Sequence, residues 1–173
     1  MTSAVLAGCP EERIITLAPA RSQQSYRHEA FLWHDASDLT TGIVPFITDG
    51  LEASEPVMVA VRARHTKWLR EALDGQAEVE FVDIEELGRN PAQIIPAWQQ
   101  FLITRSGRFH PVRAIGEPIW PGRRPEELVE CQLHEAMLNI AIDPETPFWL
   151  ICSYDAVTLS PAVVEEARTG AIR

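Results

Sequence analysis

One stretch of this 173-residue chain, ELVECQLHEAMLNIA at 127–141, combines cysteine, histidine and glutamate at short spacing. Cys131 and His134 stand three residues apart, and Glu130 and His134 four apart, so on a helix they are neighbours. Thiolate and imidazole together suit a soft divalent cation, and Cys131, His134, Cys152 and His28 are the candidate metal ligands. No CxxC or HExxH occurs, so spacing alone names no zinc motif. Glu130 and His134 also read as a satisfied carboxylate–imidazole pair at the edge of a core. Nucleophilic chemistry by Cys131 or Cys152 is the weaker reading, because a cysteine in an apolar strand behaves as a small hydrophobe. A separate carboxylate, Glu117, lies in IGEPIWPG, where Trp120 would partly desolvate it. His65 and His110 lie among charged residues and are expected to be solvated.

The elements that must position these groups alternate along the chain. Strands are predicted at 29–34, 56–61, 79–82, 112–115 and 148–152, and helices at 38–53, 66–73, 91–104, 125–142 and 160–168. In 38–53 the residues Leu39, Ile43, Phe46, Ile47 and Leu51 share one side, although Pro45 threatens a kink. Asn90-Pro91 opens 91–104 as an N-cap followed by proline. In 125–142 the predicted core stripe is Val129, Leu133, Ala136, Met137 and Ile140, with Pro125 and early glutamates at the start. Five strands alternating with helices predict an α/β fold in three layers: a mostly parallel sheet with helices on both faces. In such sheets ligands bind beyond the carboxyl ends of the strands. Those ends bring His34, Asp35, Arg62, Asp83, Glu117, Tyr154 and Asp155 to one rim, as candidate ligand contacts or simply as polar loop residues.

Composition narrows the function classes. Apolar residues make up 46% and charged residues 23%, the balance of an ordinary folded domain. A net charge of −10 and the lack of a basic stripe argue against direct nucleic-acid binding. No apolar run reaches the length of a membrane span, and the first residues lack the pattern of a secretory signal. Three widely spaced cysteines suggest no disulfide framework and a reducing cytoplasm, with Cys9 an inert thiol in an N-terminal arm at 1–25. The remainder, 26–173, reads as one domain.

The strings RHEAFLWHD, VPFITDGLEASEPVMVAV, IGEPIWPG, ELVECQLHEAMLNIA and ICSYD, in this order, closely resemble the MEDS domain. That sensory domain is named for methanogens, methylotrophs and the repressor DcmR. The resemblance spans roughly 26–168 and is nearest to the actinobacterial branch, where the domain often precedes an anti-sigma-type, histidine-kinase-like ATPase domain. It implies a scaffold related to the RecA/KaiC-like ATPases, with SEPVMVAV as the second strand. The phosphate loop of such a scaffold would fall between Phe31 and Thr41. That stretch reads HDASDLTT, with no GxxxxGK[ST], so the loop is degenerate and ATP is not expected as a cofactor. A polar or metal-binding sensing site carried over from the family would fall on His28, Glu117, Cys131, His134 and Cys152.

The leading expectation is therefore a regulatory module that senses a small molecule or metal. It would act in signal transduction or transcription control on an anti-sigma or kinase-like partner, in cis or in trans. Ligand binding would bias the segment 34–41 or the segment 117–124. An acid–base or metal-assisted enzyme using Glu117 with His134 or His28, and an oligomerisation module with an empty site, are the alternatives from other classes.

Overall fold

The computed structural model describes residues 25–75, 78–105 and 111–170. His110 and residues 1–24 of the expected arm lie outside them. Five strands build one sheet: β1 (Arg27–Trp33), β2 (Val57–Val61), β3 (Val79–Asp83), β4 (Val112–Gly116) and β5 (Phe148–Asp155). Every pairing is parallel, in the order β1-β5-β4-β2-β3. The runs VMVAV, VRAIG and FWLICSYD are buried along their whole length, as strands covered on both faces must be.

The helices cover the two faces according to the direction of travel. α1 (Ala36–Glu52) and α2 (Ala63–Ala72) carry the chain outward from β1 to β2 and β3. α3 (Ile84–Leu87), α4 (Ile94–Arg105) and α5 (Pro125–Ala141) bring it back to β4 and β5, and α6 (Pro161–Gly170) follows. Crossovers of one hand running in opposite directions must lie on opposite faces. Accordingly Leu39, Ile43, Ile47 and Leu69 pack on Val57, Val59, Ile115 and Trp149. On the other face Trp98, Phe101, Leu138 and Val163 pack on Ala60, Ala114, Leu150 and Tyr154. Each such large side chain contributes about 1.5–3 kcal/mol through burial. The direction of travel reverses between the neighbours β2 and β4, which makes the gap beyond their carboxyl ends the switch point of the sheet. No helix among the described residues is long and apolar enough to cross a membrane.

Local details depart from the expected pattern in informative ways. α1 runs unbroken through Pro45, whose ring lies on the exposed side. It starts at Ala36, so most of the segment 34–41 is helix rather than loop. Asn90 caps a tight turn at Pro91–Gln93 before α4 begins. Asp83 caps α3, a helix the sequence pattern did not reveal, by accepting from Glu85 N.

The largest departure is the face that α5 buries. Val129, Leu133, Met137 and Ile140 are 64, 59, 46 and 86% exposed, and Ala136 is exposed as well. The buried face is Cys131, His134, Glu135 and Leu138. The helix is rotated so that its polar and small residues face the sheet, which leaves an apolar stripe outside.

Candidate functional site

Strand parity divides the chemistry between the two faces of the sheet. Cys152 lies opposite Gly116 in the β4–β5 register, so Glu117, one residue later, belongs to the other side. His28, Cys152 and Tyr154 face α5 and α6, whereas Glu117 belongs with α2. The single rim cluster expected from the sequence is therefore two separate groups.

The first group is buried at the β1–β5 side of the sheet. His28 near the start of β1, Cys152 in β5 and Glu135 in α5 converge there. His28 Nε2 lies 3.2 Å from Cys152 Sγ and 3.2 Å from Glu135 Oε2. The Cys152 thiol faces Glu135 Oε1 at 3.5 Å, and the Tyr154 hydroxyl donates to Glu135 Oε2 at 2.8 Å. His28 Nδ1 is 3.4 Å from Asn139 Oδ1, one helical turn beyond Glu135. Tyr26 stacks on His28 and Phe148, and its backbone N–H donates to Pro144 O just past α5.

Burial and charge set the protonation of this group. Burial opposes charge on Glu135, but the hydrogen bond and charge of His28, joined by His134 and Tyr154, outweigh it and hold the carboxyl below its ordinary range. Burial and then the Glu135 charge push the Cys152 thiol and the Tyr154 phenol well up. Tyr26 is pushed up by burial and by the neighbouring Cys152 and Glu135. Burial pulls His134 down. Tyr26 Oη and His134 Nε2 are buried without a hydrogen-bond partner among the described residues, an uncommon state for groups of this kind.

Beside the cluster is a cavity of about 80 Å³ between α5, α6 and β5. Ile119, Ala136, Val163 and Ala167 supply an apolar lining, and Glu135 and Tyr154 a polar one. Gln132 on α5 donates to Glu166 on α6 at its margin. Glu135 and Tyr154 thus belong to both the buried cluster and the cavity.

The second group occupies the switch point. Arg62, just past β2, donates from Nε to Glu117 Oε1 at 2.6 Å and from its backbone N–H to Oε2 at 3.0 Å. His65 Nδ1 lies 2.7 Å from the same Oε2. Arg64 Nε donates to His65 Nε2 at 2.8 Å. Because arginine has no acceptor, Nε2 carries the lone pair and Nδ1 the proton that goes to Glu117. His65 is therefore buried and paired, not solvated, and it stacks edge-on against Trp33. Glu117 receives three donors, none of them from Trp120. That indole instead lies under the Arg123 guanidinium, 3.5 Å away, and Arg123 ties the 117–124 segment to Gly88 O and Pro118 O.

The remaining predicted site residues disperse. His34 and Asp38 pair on the exposed surface, and Asp35 caps α1 by accepting from Asp38 N. Glu130 is exposed while His134 is buried, so the expected pair splits across the helix surface. Cys131 is buried near Arg123, outside the group formed by His28, Glu135 and Cys152. Tyr154 and Asp155 are the last residues of β5 rather than a loop beyond it; Asp155 accepts from Val157 N and Thr158 N. The sequence reading missed Glu135 and Tyr26. Once α5 is rotated to bury Cys131, Glu135 follows four residues on, and that rotation was the missing signal.

No curated protein and no solved structure matches the chain. A family model does: with its match over residues 27–169, nearly all of the described fold, the chain belongs to the MEDS family, the MEthanogen/methylotroph, DcmR Sensory domain.

Proposed function

We propose that this MEDS domain senses a small molecule at the Glu135–Tyr154 floor of the cavity and reports it through α5. The observation that carries this reading is that one helix holds both ends of the signal. Glu135 points into the buried cluster, while Leu133 and Met137 stand exposed on the outer side of the same turns. A molecule of a few heavy atoms fits the cavity, with a carboxylate and a phenol to orient it and apolar walls to exclude water. Its contacts with Glu135 favour one placement of α5 over another, which changes the surface shown outside. That surface is apolar and rimmed by the exposed Glu126 and Glu130. It is complementary to a partner with an apolar patch and basic flanks; a second copy would bring a similar acidic rim against it. A kinase-like ATPase or anti-sigma-type domain, in cis or in trans, is the class of partner the family resemblance supports, with the cytoplasm as the compartment.

Regulation is favoured over catalysis because Glu117, the best acid–base candidate, already accepts from Arg62 and His65. Where a RecA/KaiC-like scaffold would hold phosphate, the α1 N-terminus is capped by its own Asp35 carboxylate, which argues for a scaffold without nucleotide chemistry.

Hydrogen exchange on the protein, with and without the low-molecular-weight fraction of its host's extract, tests this. Slowed exchange centred on α5 and residues 117–124 is the expected result. Protection confined to the start of α1, or none, would overturn the reading.

A further inference from the structure

α5 carries an apolar face that none of the described residues covers. Val129, Leu133, Met137 and Ile140 are all exposed, and with Ala136 they form one stripe along the outside of the helix. Single apolar residues scattered over a surface need no explanation, but four large ones in one stripe mark a face that something covers. Charge of one sign flanks the stripe: Glu126 and Glu130 are exposed near its start, and Asp143 is exposed past its end. A second copy would bring the same carboxylates to the contact, whereas an apolar segment with cationic residues at its ends complements them.

The chain itself supplies such a segment, attached at the right place. Tyr26 N donates to Pro144 O at 2.9 Å, just past α5, so the residues that precede Ser25 are joined to the fold beside the Ile140 end of the stripe. Residues 13–24 read RIITLAPARSQQ: Ile14, Ile15 and Leu17 are apolar, and the only charged residues are Arg13 and Arg21. A segment of this length reaches at most about 40 Å. Along the helix, Ile140 lies only about 21 Å from Glu126. Laid back along α5 from its carboxyl end, the segment would bring Arg21 toward Asp143, its apolar residues over the stripe, and Arg13 toward Glu126 and Glu130. Glu11 and Glu12 would then fall toward the amino end of α5, where the exposed Arg124 and the helix dipole favour negative charge.

We infer that residues 13–24 dock on the outer face of α5, with Ile14, Ile15 and Leu17 on Leu133 and Met137 and with Arg13 toward Glu126 and Glu130. The tether gives the segment an effective concentration on the order of millimolar, so weak contacts suffice to hold it. A partner with tighter contacts can still displace it. The inference deepens the reading of α5 as the output surface, and rests on that reading for its consequence: the segment occupies the face until the signal shifts α5, and the partner then takes its place.

The test is paramagnetic relaxation on the full chain, with a nitroxide at Thr16→Cys in a Cys9→Ser background; Cys131 and Cys152 are buried and stay unlabelled. The methyl signals of Leu133 and Met137 should broaden, and those of Val44 and Leu51 on α1, across the sheet, should not. Ile15→Asp with Leu17→Asp should abolish the broadening, and Leu133→Asp should abolish it at Met137; circular dichroism establishes folding. Broadening at neither pair, broadening at both alike, or broadening that survives the arm variant overturns the inference. So does broadening in a mixture of spin-labelled chains without isotope and isotope-labelled chains without nitroxide, because the occupant is then a second copy. Hydrogen exchange with the host fraction separates the two readings. α5 protection by that fraction in a chain that shows no broadening retains the sensor and removes the docked arm. Broadening at Leu133 and Met137 with no response of α5 to the fraction retains the docked arm and removes the sensor.

Discussion

Glu117 and Arg62 are joined twice across the switch point of the sheet, side chain to side chain at 2.6 Å and backbone to carboxylate at 3.0 Å. Both are buried, and His65 completes the arrangement. The carboxylate thereby fastens the start of α2 to the end of β4, a clamp between neighbouring strands whose connections run in opposite directions.

Glu117→Gln should therefore act on stability. Removing the charge leaves the Arg62 guanidinium buried without its counter-ion, at a cost of roughly 3–5 kcal/mol. The double change Glu117→Gln with Arg62→Met should cost clearly less than Glu117→Gln alone. Urea denaturation of Glu117→Gln, Arg62→Met and the double variant measures this; additive losses would show that the two residues do not act as a pair.

The rotation of α5 makes two leucines five residues apart behave oppositely. Leu138 is fully buried, and Leu138→Ala should cost about 2–5 kcal/mol. Leu133 is 59% exposed, and Leu133→Asp should change stability by no more than about 0.5 kcal/mol. Under the proposed function it should nonetheless abolish the response of the signalling partner. Thermal melts of the two variants suffice to check the first part.

Cys131 gives the pH dependence a sign. Burial pushes its thiol up to about 11 from an ordinary value of 9.0, against the opposing pull of Arg123. Folded protein therefore keeps a proton that the unfolded chain releases. Stability from this group is fully present below pH 9 and is lost as pH rises through about 11. A difference of two units corresponds to about 2.7 kcal/mol. The alkaline fall in stability should be shallower in Cys131→Ala by about that amount, and the wild-type thiol should resist thiol reagents until the protein unfolds.

How legible this was in the sequence depended on the physics of each element. The five strands and most helices could be read because both-face burial writes continuous apolar runs, and Asn90 and Pro91 mark a helix start by chemistry that no tertiary contact overrides. α5 misled because two stripes compete on it. The apolar one is the stronger hydrophobic signal, yet Glu135 pairs with His28, Cys152 and Tyr154 inside, so tertiary pairing decided the rotation. His65 failed for a related reason: its partners Arg64, Glu117 and Trp33 come from three parts of the chain, and local composition showed only charge. His28 and Cys152 were both legible as donors, but the register that joins them, with Ala30 opposite Cys152, required the parallel β1–β5 pairing that sequence order conceals.

The central claim, that Glu135 and Tyr154 form the floor on which a signal molecule binds, is tested most directly by native mass spectrometry. Wild type, Tyr154→Phe, Glu135→Gln and Glu117→Gln would each be purified gently from the protein's own host. Tyr154→Phe removes only a hydroxyl, at about 1.5–3 kcal/mol for a bond to a charged acceptor, and should stay folded. The account predicts a bound small species on wild type and on whatever Glu117→Gln protein remains folded, with its occupancy lost in Tyr154→Phe and Glu135→Gln. A species that persists in both of those variants, or departs only with Glu117→Gln, would contradict it and move the signal site to the switch point.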